Sequence, residues 1–218
     1  MFESSGELTP EQVEWLNKCT WGTWKLNPRT GLVDVDGDFY CSNQGLSDFK
    51  GVRFGEVGGN FSCSNNQLTT LEGAPREVGD TFWCNNNQLT SLEGAPQVVR
   101  GSFNCRDNQL TSLEGAPQKV GWNFDCKGNG LTSLEGAPRE VGGAFFCYHN
   151  PVSKDTLGSI FGIMETGKGY LEAVESIWSK IPVEDQVLLY RPEFEWVGAD
   201  ERKKLDALRA YQGFKGMI

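Results

Sequence analysis

Residues 82–96 read Phe-Trp-Cys-Asn-Asn-Asn-Gln-Leu-Thr-Ser-Leu-Glu-Gly-Ala-Pro, and most of that string returns at residues 61–75, 103–117 and 124–138. Cys63, Cys84, Cys105, Cys126 and Cys147 follow one another every 21 residues, and Cys41 lies 22 before Cys63. Two positions before each stands Phe39, Phe61, Phe82, Phe103, Phe124 or Phe145. Three after it comes Gln44, Asn66, Asn87, Asn108, Asn129 or Asn150; five after it comes Leu46, Leu68, Leu89, Leu110, Leu131 or, in the last copy, Val152. The segment Leu-Glu-Gly-Ala-Pro then begins at Leu71, Leu92, Leu113 and Leu134. A fixed period of this length marks stacked supersecondary units.

Each position has a physical task. Phe-x-Cys has the two-residue period of a strand, so both side chains point to one face. Stacked copies form a parallel ladder with rungs ~4.8 Å apart. The Phe, Cys and Leu columns then make one continuous core that no single unit could bury alone. Asn carries both donors and an acceptor and is expected to satisfy turn backbone groups inside the coil. Gly supplies unusual backbone angles on the far side, and Pro fixes its own.

Asn87-Gln88-Leu89-Thr90-Ser91-Leu92 resembles the leucine-rich repeat, with Phe-x-Cys in place of the usual Leu-x-Leu strand and Gly-Ala-Pro in place of Leu-Pro. The short unit is similar to the bacterial class found in secreted effectors, and to bacteriophage and bacterial proteins built from Asn-Gln-Leu-Thr-Ser-Leu-Glu-Gly-Ala-Pro units. The resemblance spans roughly Gly31 to Val152. It implies a solenoid and, for a phage protein, an inhibitor of a host factor such as a defence protein. Some effectors with similar repeats carry a C-terminal ubiquitin ligase that needs a catalytic Cys, but here no Cys follows Cys147.

A solenoid needs both ends covered. Thr9-Pro10-Glu11-Gln12 reads as a helix start, with Val13, Trp15 and Leu16 on an apolar face. Residues 1–30 are therefore expected to form an N-terminal helical cap, with its helix at about 10–19, and residues 31–152 the solenoid. After Val152 the apolar spacing becomes helical, through Leu157, Ile160, Phe161 and Met164 and again through Leu171, Val174, Ile177 and Trp178. Residues 153–218 are expected to form a C-terminal helical domain. The fold class is α+β: a leucine-rich-repeat-like parallel β-solenoid with helices at both ends.

The net charge of −9 argues against direct binding of nucleic acid, which calls for clustered Lys and Arg. An acidic surface suits a basic protein partner, and it also suits a nucleic-acid mimic that blocks a host DNA- or RNA-binding enzyme. An odd cysteine count, 7, and an N-terminus without a basic and apolar leader imply a reducing compartment and a cytoplasmic protein. No apolar run is long enough for a bilayer.

No phosphate loop, nucleophile elbow or zinc signature is present, so no enzyme activity, metal or cofactor is expected. The cysteines fall one per rung without a Cys-x-x-Cys pair and read as small core hydrophobes. His149, the one histidine, reads as an exposed or end-covering residue. Asp34, Asp36 and Asp38 alternate but lack the EF-hand spacing and closing Glu, which favours a solvated first strand and turn. Glu72, Glu93, Glu114 and Glu135 form an acidic column on a turn.

The residues that change from rung to rung are those beside the Phe and Cys columns. Tyr40, Trp83, Asn104, Asp125 and Phe146 stand between Phe and Cys, and Arg106, Lys127 and Tyr148 follow Cys. Aromatics with Arg and Asp on a rigid sheet face have the composition of a protein-binding surface. The expected role is non-catalytic binding of a protein partner, with a virion or structural component as an alternative.

Overall fold

The computed structural model describes residues 7–132, 134–143, 145–147 and 149–151. The helical tail expected at 153–218 lies outside the described residues, as does Tyr148.

The chain begins with helix α1, Pro10–Cys19. Thr9 is its N-cap: the Thr9 side chain accepts from the Gln12 N–H at 3.2 Å, and the Gln12 side chain accepts from the Thr9 N–H at 2.8 Å. The buried face of α1 is Trp15, Leu16 and Cys19. Trp15 packs edge-on to Phe39, with ring centroids 5.2 Å apart, and its indole N–H donates to Gln44 at 2.9 Å. Strand β1, Thr20–Leu26, follows and pairs antiparallel with β2, Val33–Tyr40. Nothing in the repeat signals β1, and the region expected to be only a helical cap thus ends in a hairpin with the first coil.

From β2 onward the molecule is a parallel β-solenoid with two short strands per coil. One ladder contains β4 (Phe61–Ser62), β6 (Phe82–Trp83), β8 (Phe103–Asn104), β10 (Phe124–Asp125) and β12 (Phe145–Phe146). The other contains β3 (Phe54–Val57), β5 (Glu77–Val78), β7 (Val98–Val99), β9 (Lys119–Val120) and β11 (Glu140–Val141). β2 is long enough to start both: Val33 and Val35 pair with β3, and Phe39 and Tyr40 with β4. The Phe-x-Cys pattern marks only the first ladder. The second rests on Val57, Val78, Val99, Val120 and Val141, all buried.

Inside, the phenyl rings of Phe39, Phe61, Phe82, Phe103, Phe124 and Phe145 stack one on another at 5.1–5.5 Å between centroids. Such pairs add roughly 0.5–1.5 kcal/mol each beyond the area they bury. The Cys and Leu columns complete the core, all buried.

The Asn column binds the coils together. The Asn87 side-chain amide donates to the carbonyls of Cys63 and Cys84 at 3.0 and 3.1 Å, and its oxygen accepts from the Leu68 N–H at 3.0 Å. Asn66, Asn108 and Asn129 repeat the pattern. Each Asn so spans two coils. The residue just before it is left-handed: Asn43, Asn65, Asn86, Asp107 and His149 have φ between 53° and 59°. This places His149 in a turn that favours Asn, Asp or Gly, as Gly128 in the same column illustrates. At the far turn Gly94 has φ +86°, and a Cβ there would sit 2.8 Å from the Leu71 carbonyl.

Asn87→Ala leaves the buried Leu68 N–H without a partner and takes one of two amide donors from each of the Cys63 and Cys84 carbonyls, which keep Asn66 and Asn108. It is expected to cost about 2 kcal/mol, since an orphaned buried group costs ~1–3 kcal/mol. Asn86→Gly, which suits the left-handed turn, is expected to change stability by less than ~1 kcal/mol. Urea denaturation of the two variants checks this contrast.

Candidate binding face on the outer side of the strands

Because side chains alternate, three columns flank the buried Phe and Cys residues on the outer side. The first is Asp38, Asn60, Thr81, Ser102 and Asn123. From Asp38 to Ser102 a side-chain oxygen accepts the N–H of the next coil: Asp38 from Asn60 (2.6 Å), Asn60 from Thr81 (3.2 Å), Thr81 from Ser102 (3.3 Å) and Ser102 from Asn123 (3.2 Å). This column is committed to cohesion. The Asn60 N–H, the largest influence, holds the Asp38 carboxyl below the usual carboxylate range.

The second column is Tyr40, Ser62, Trp83, Asn104, Asp125 and Phe146, all half-buried. The third contains Ser42, Ser64, Asn85, Arg106 and Lys127. Ser42 and Ser62 share a hydrogen bond of 2.7 Å, and Ser64 donates to Asn85 at 2.7 Å. Asn104 accepts the Arg106 N–H at 3.1 Å. Arg106 Nε lies 3.5 Å from Asp107 but makes no hydrogen bond there.

The candidate residues therefore differ in what they offer. Asp125 and Lys127 pair with each other at 3.3 Å and are only 13% and 22% exposed, so this pair is mostly spent internally. Lys127 also stands 5.8 Å over the Phe146 ring. Arg106, one coil further toward the middle, keeps 39% of its side chain exposed, and Trp83, two coils further, is half-buried. At the first coil Tyr40 donates to Asp38 at 3.1 Å. Burial first, and then the Asp38 carboxylate, pushes its phenol upward.

Two surface aromatics lie outside the expected set. Trp21 on β1 is 71% exposed and meets Tyr40 edge-on at 5.7 Å. Trp122 is 69% exposed and sits at the bend between the ladders, where the other coils have Gly59, Asp80, Gly101 and Gly143. That break in an otherwise small or polar column is visible in the sequence; nothing in the repeat signals Trp21.

The remaining candidates resolve simply. Asp34 accepts the Glu56 N–H at 3.2 Å, so the Asp34–Asp38 segment is strand β2 stitched to the next coil rather than a strand and turn. Glu72, Glu93, Glu114 and Glu135 are exposed. Among the described residues no group of three or more His, Cys, Asp or Glu could hold a metal ion, and no helix is long and apolar enough to cross a membrane. The seven cysteines are buried and free of disulfides. No family model, curated protein or solved structure matches this chain.

Burial pushes the thiols of Cys41, Cys63, Cys84, Cys105 and Cys126 upward. The folded state thus keeps these protons while an unfolded thiol loses its own above about pH 8.5, so stability is expected to fall as pH rises past that value. A maleimide should label them slowly in the native protein and rapidly in concentrated guanidinium. Native-state labelling as fast as that of free cysteine would contradict the placement.

Proposed function

We propose that this chain is a non-catalytic protein-binding module of the leucine-rich-repeat type, which grips a partner with the outer face of its Phe–Cys strands. The supporting observation is the contrast within each coil. Phe, Cys and Asn are used the same way on successive rungs, whereas the half-buried residues between them run Tyr40, Ser62, Trp83, Asn104 and Asp125. A rigid ladder lowers the entropy lost on binding, and Trp, Tyr and Arg are the residue types that dominate interface energetics. The resemblance to phage repeat proteins makes a host protein, such as a defence factor, the partner of choice.

The central pair on this face is Trp83 and Arg106. The double variant Trp83→Ala/Arg106→Ala is expected to lose capture of the partner from lysate of the natural host, while its urea midpoint changes little. Undiminished capture would reject this face.

A second reading is favoured by the exposed column of Glu72, Glu93, Glu114 and Glu135, which stacks acids on successive coils with a net charge of −9 behind them. In that reading the acidic turn competes with DNA or RNA for a basic groove. Such binding is expected to weaken steeply with salt, as screening shortens to about 10 Å at 0.1 M. Salt-insensitive binding would leave the outer face as the account.

A further inference from the structure

Among the described residues strand β1 has a free edge. It pairs there with β2 alone, in unbroken register from Thr20 opposite Phe39 to Leu26 opposite Val33. Along its far side the backbone N–H and C=O groups have no strand partner among the described residues. Proteins usually blunt such edges with proline, bulges or several charges, because an open edge accepts another strand. β1 has 7 residues and carries none of these devices except a single charge, Lys25.

The side chains beside this edge are chemically selective. On the outer face Trp21 lies opposite Asp38, Thr23 opposite Asp36 and Lys25 opposite Asp34. Lys25 can offset Asp34 across the pair, but the residues opposite Asp36 and Asp38 are neutral. Trp21 is 71% exposed, with the Tyr40 ring standing at 83° to it. An exposed indole on the same face as the exposed Asp36 carboxylate attracts a cation, which is held when it comes within ~6 Å of the ring centroid.

We propose that the free edge of β1 receives an extended, lysine- or arginine-bearing segment of a partner protein as an added strand, with a cationic side chain over Trp21 and against Asp36. Main-chain hydrogen bonds supply the pairing and the alternate side chains supply the selectivity, as in other cases of strand addition. An added strand lies ~4.8 Å from β1, within reach of a long basic side chain to the indole and the Asp36 carboxylate behind it. A second copy of this chain is the wrong occupant: it brings the same acidic row and the same −9 charge to the contact. The proposal stands apart from the outer-face reading, because it uses an edge rather than a face and other residues, although Tyr40 joins the two surfaces.

The test uses the full chain and two blocked peptides, one alternating lysine and valine and one alternating glutamate and valine. Backbone amide exchange followed by NMR reads where they bind. The lysine peptide is expected to slow exchange at alternate amides of Thr20–Leu26. Its affinity is expected to exceed that of the glutamate peptide by about tenfold or more, and to fall by about tenfold in Trp21→Ala or Asp36→Lys, a change that corresponds to ~1.4 kcal/mol. The Trp83→Ala/Arg106→Ala variant should bind the lysine peptide unchanged, which separates this edge from the outer face. Equal binding of the two peptides, protection confined to other strands, or no binding of the lysine peptide at millimolar concentration would overturn the proposal. So would a dimer in sedimentation whose β1 amides are already protected.

Discussion

The structure depends on the hydrogen bonding of one buried side chain per coil. Each Asn of the column closes the turn after the Cys, and it also holds the coil before: Asn108, for example, donates to Cys84 and Cys105 and accepts from Leu89. A turn buried between coils would otherwise strand carbonyl and N–H groups away from water. Only a short amide carries both donors and an acceptor in that small space, which is why the position holds Asn at 66, 87, 108, 129 and 150. The first coil has Gln44 there, and its longer side chain reaches out to Cys19 and accepts from Trp15, linking the ladder to α1.

That constraint divides the coil into fixed and free positions. Phe, Cys and Leu fill the interior, Asn joins successive coils, and the Asp38-to-Asn123 column stitches the outer backbone. What remains is the second outer column, the third column near Arg106, the glutamate turn and the edge of β1. Binding chemistry has to be placed on these positions, because a change elsewhere would cost the stacking or the hydrogen bonds that hold the solenoid together. The exposed tryptophans agree with this division: Trp21 and Trp122 both occupy places where no column requires a particular residue.

Much of the architecture is legible in the sequence because the period is strict. The Phe ladder, the inward cysteines and the amide role of Asn all follow from side-chain alternation and the need to satisfy buried backbone. The Val ladder is equally periodic, from Val57 to Val141, but it is shielded from a simple reading by Gly and charged neighbours such as Glu77 and Lys119. β1 is harder still, since a hairpin strand that occurs once has no repeat to expose it. Of the candidate face, Trp83 and Arg106 stand where alternation puts them. The mutual pairing of Asp125 and Lys127 could not be read from spacing alone, because both were expected to face outward and only side-chain geometry decides that they meet.

The most direct measurement is the hydrogen exchange of the asparagine side-chain amides. If the column joins the coils, the NH₂ groups of Asn66, Asn87 and Asn108, together with the backbone N–H of Leu68 and Leu89, should exchange only when coils open, far more slowly than the exposed amide of Gln88. Exchange of those NH₂ groups at the rate of Gln88 would contradict the account, since it would place them in water rather than between the coils.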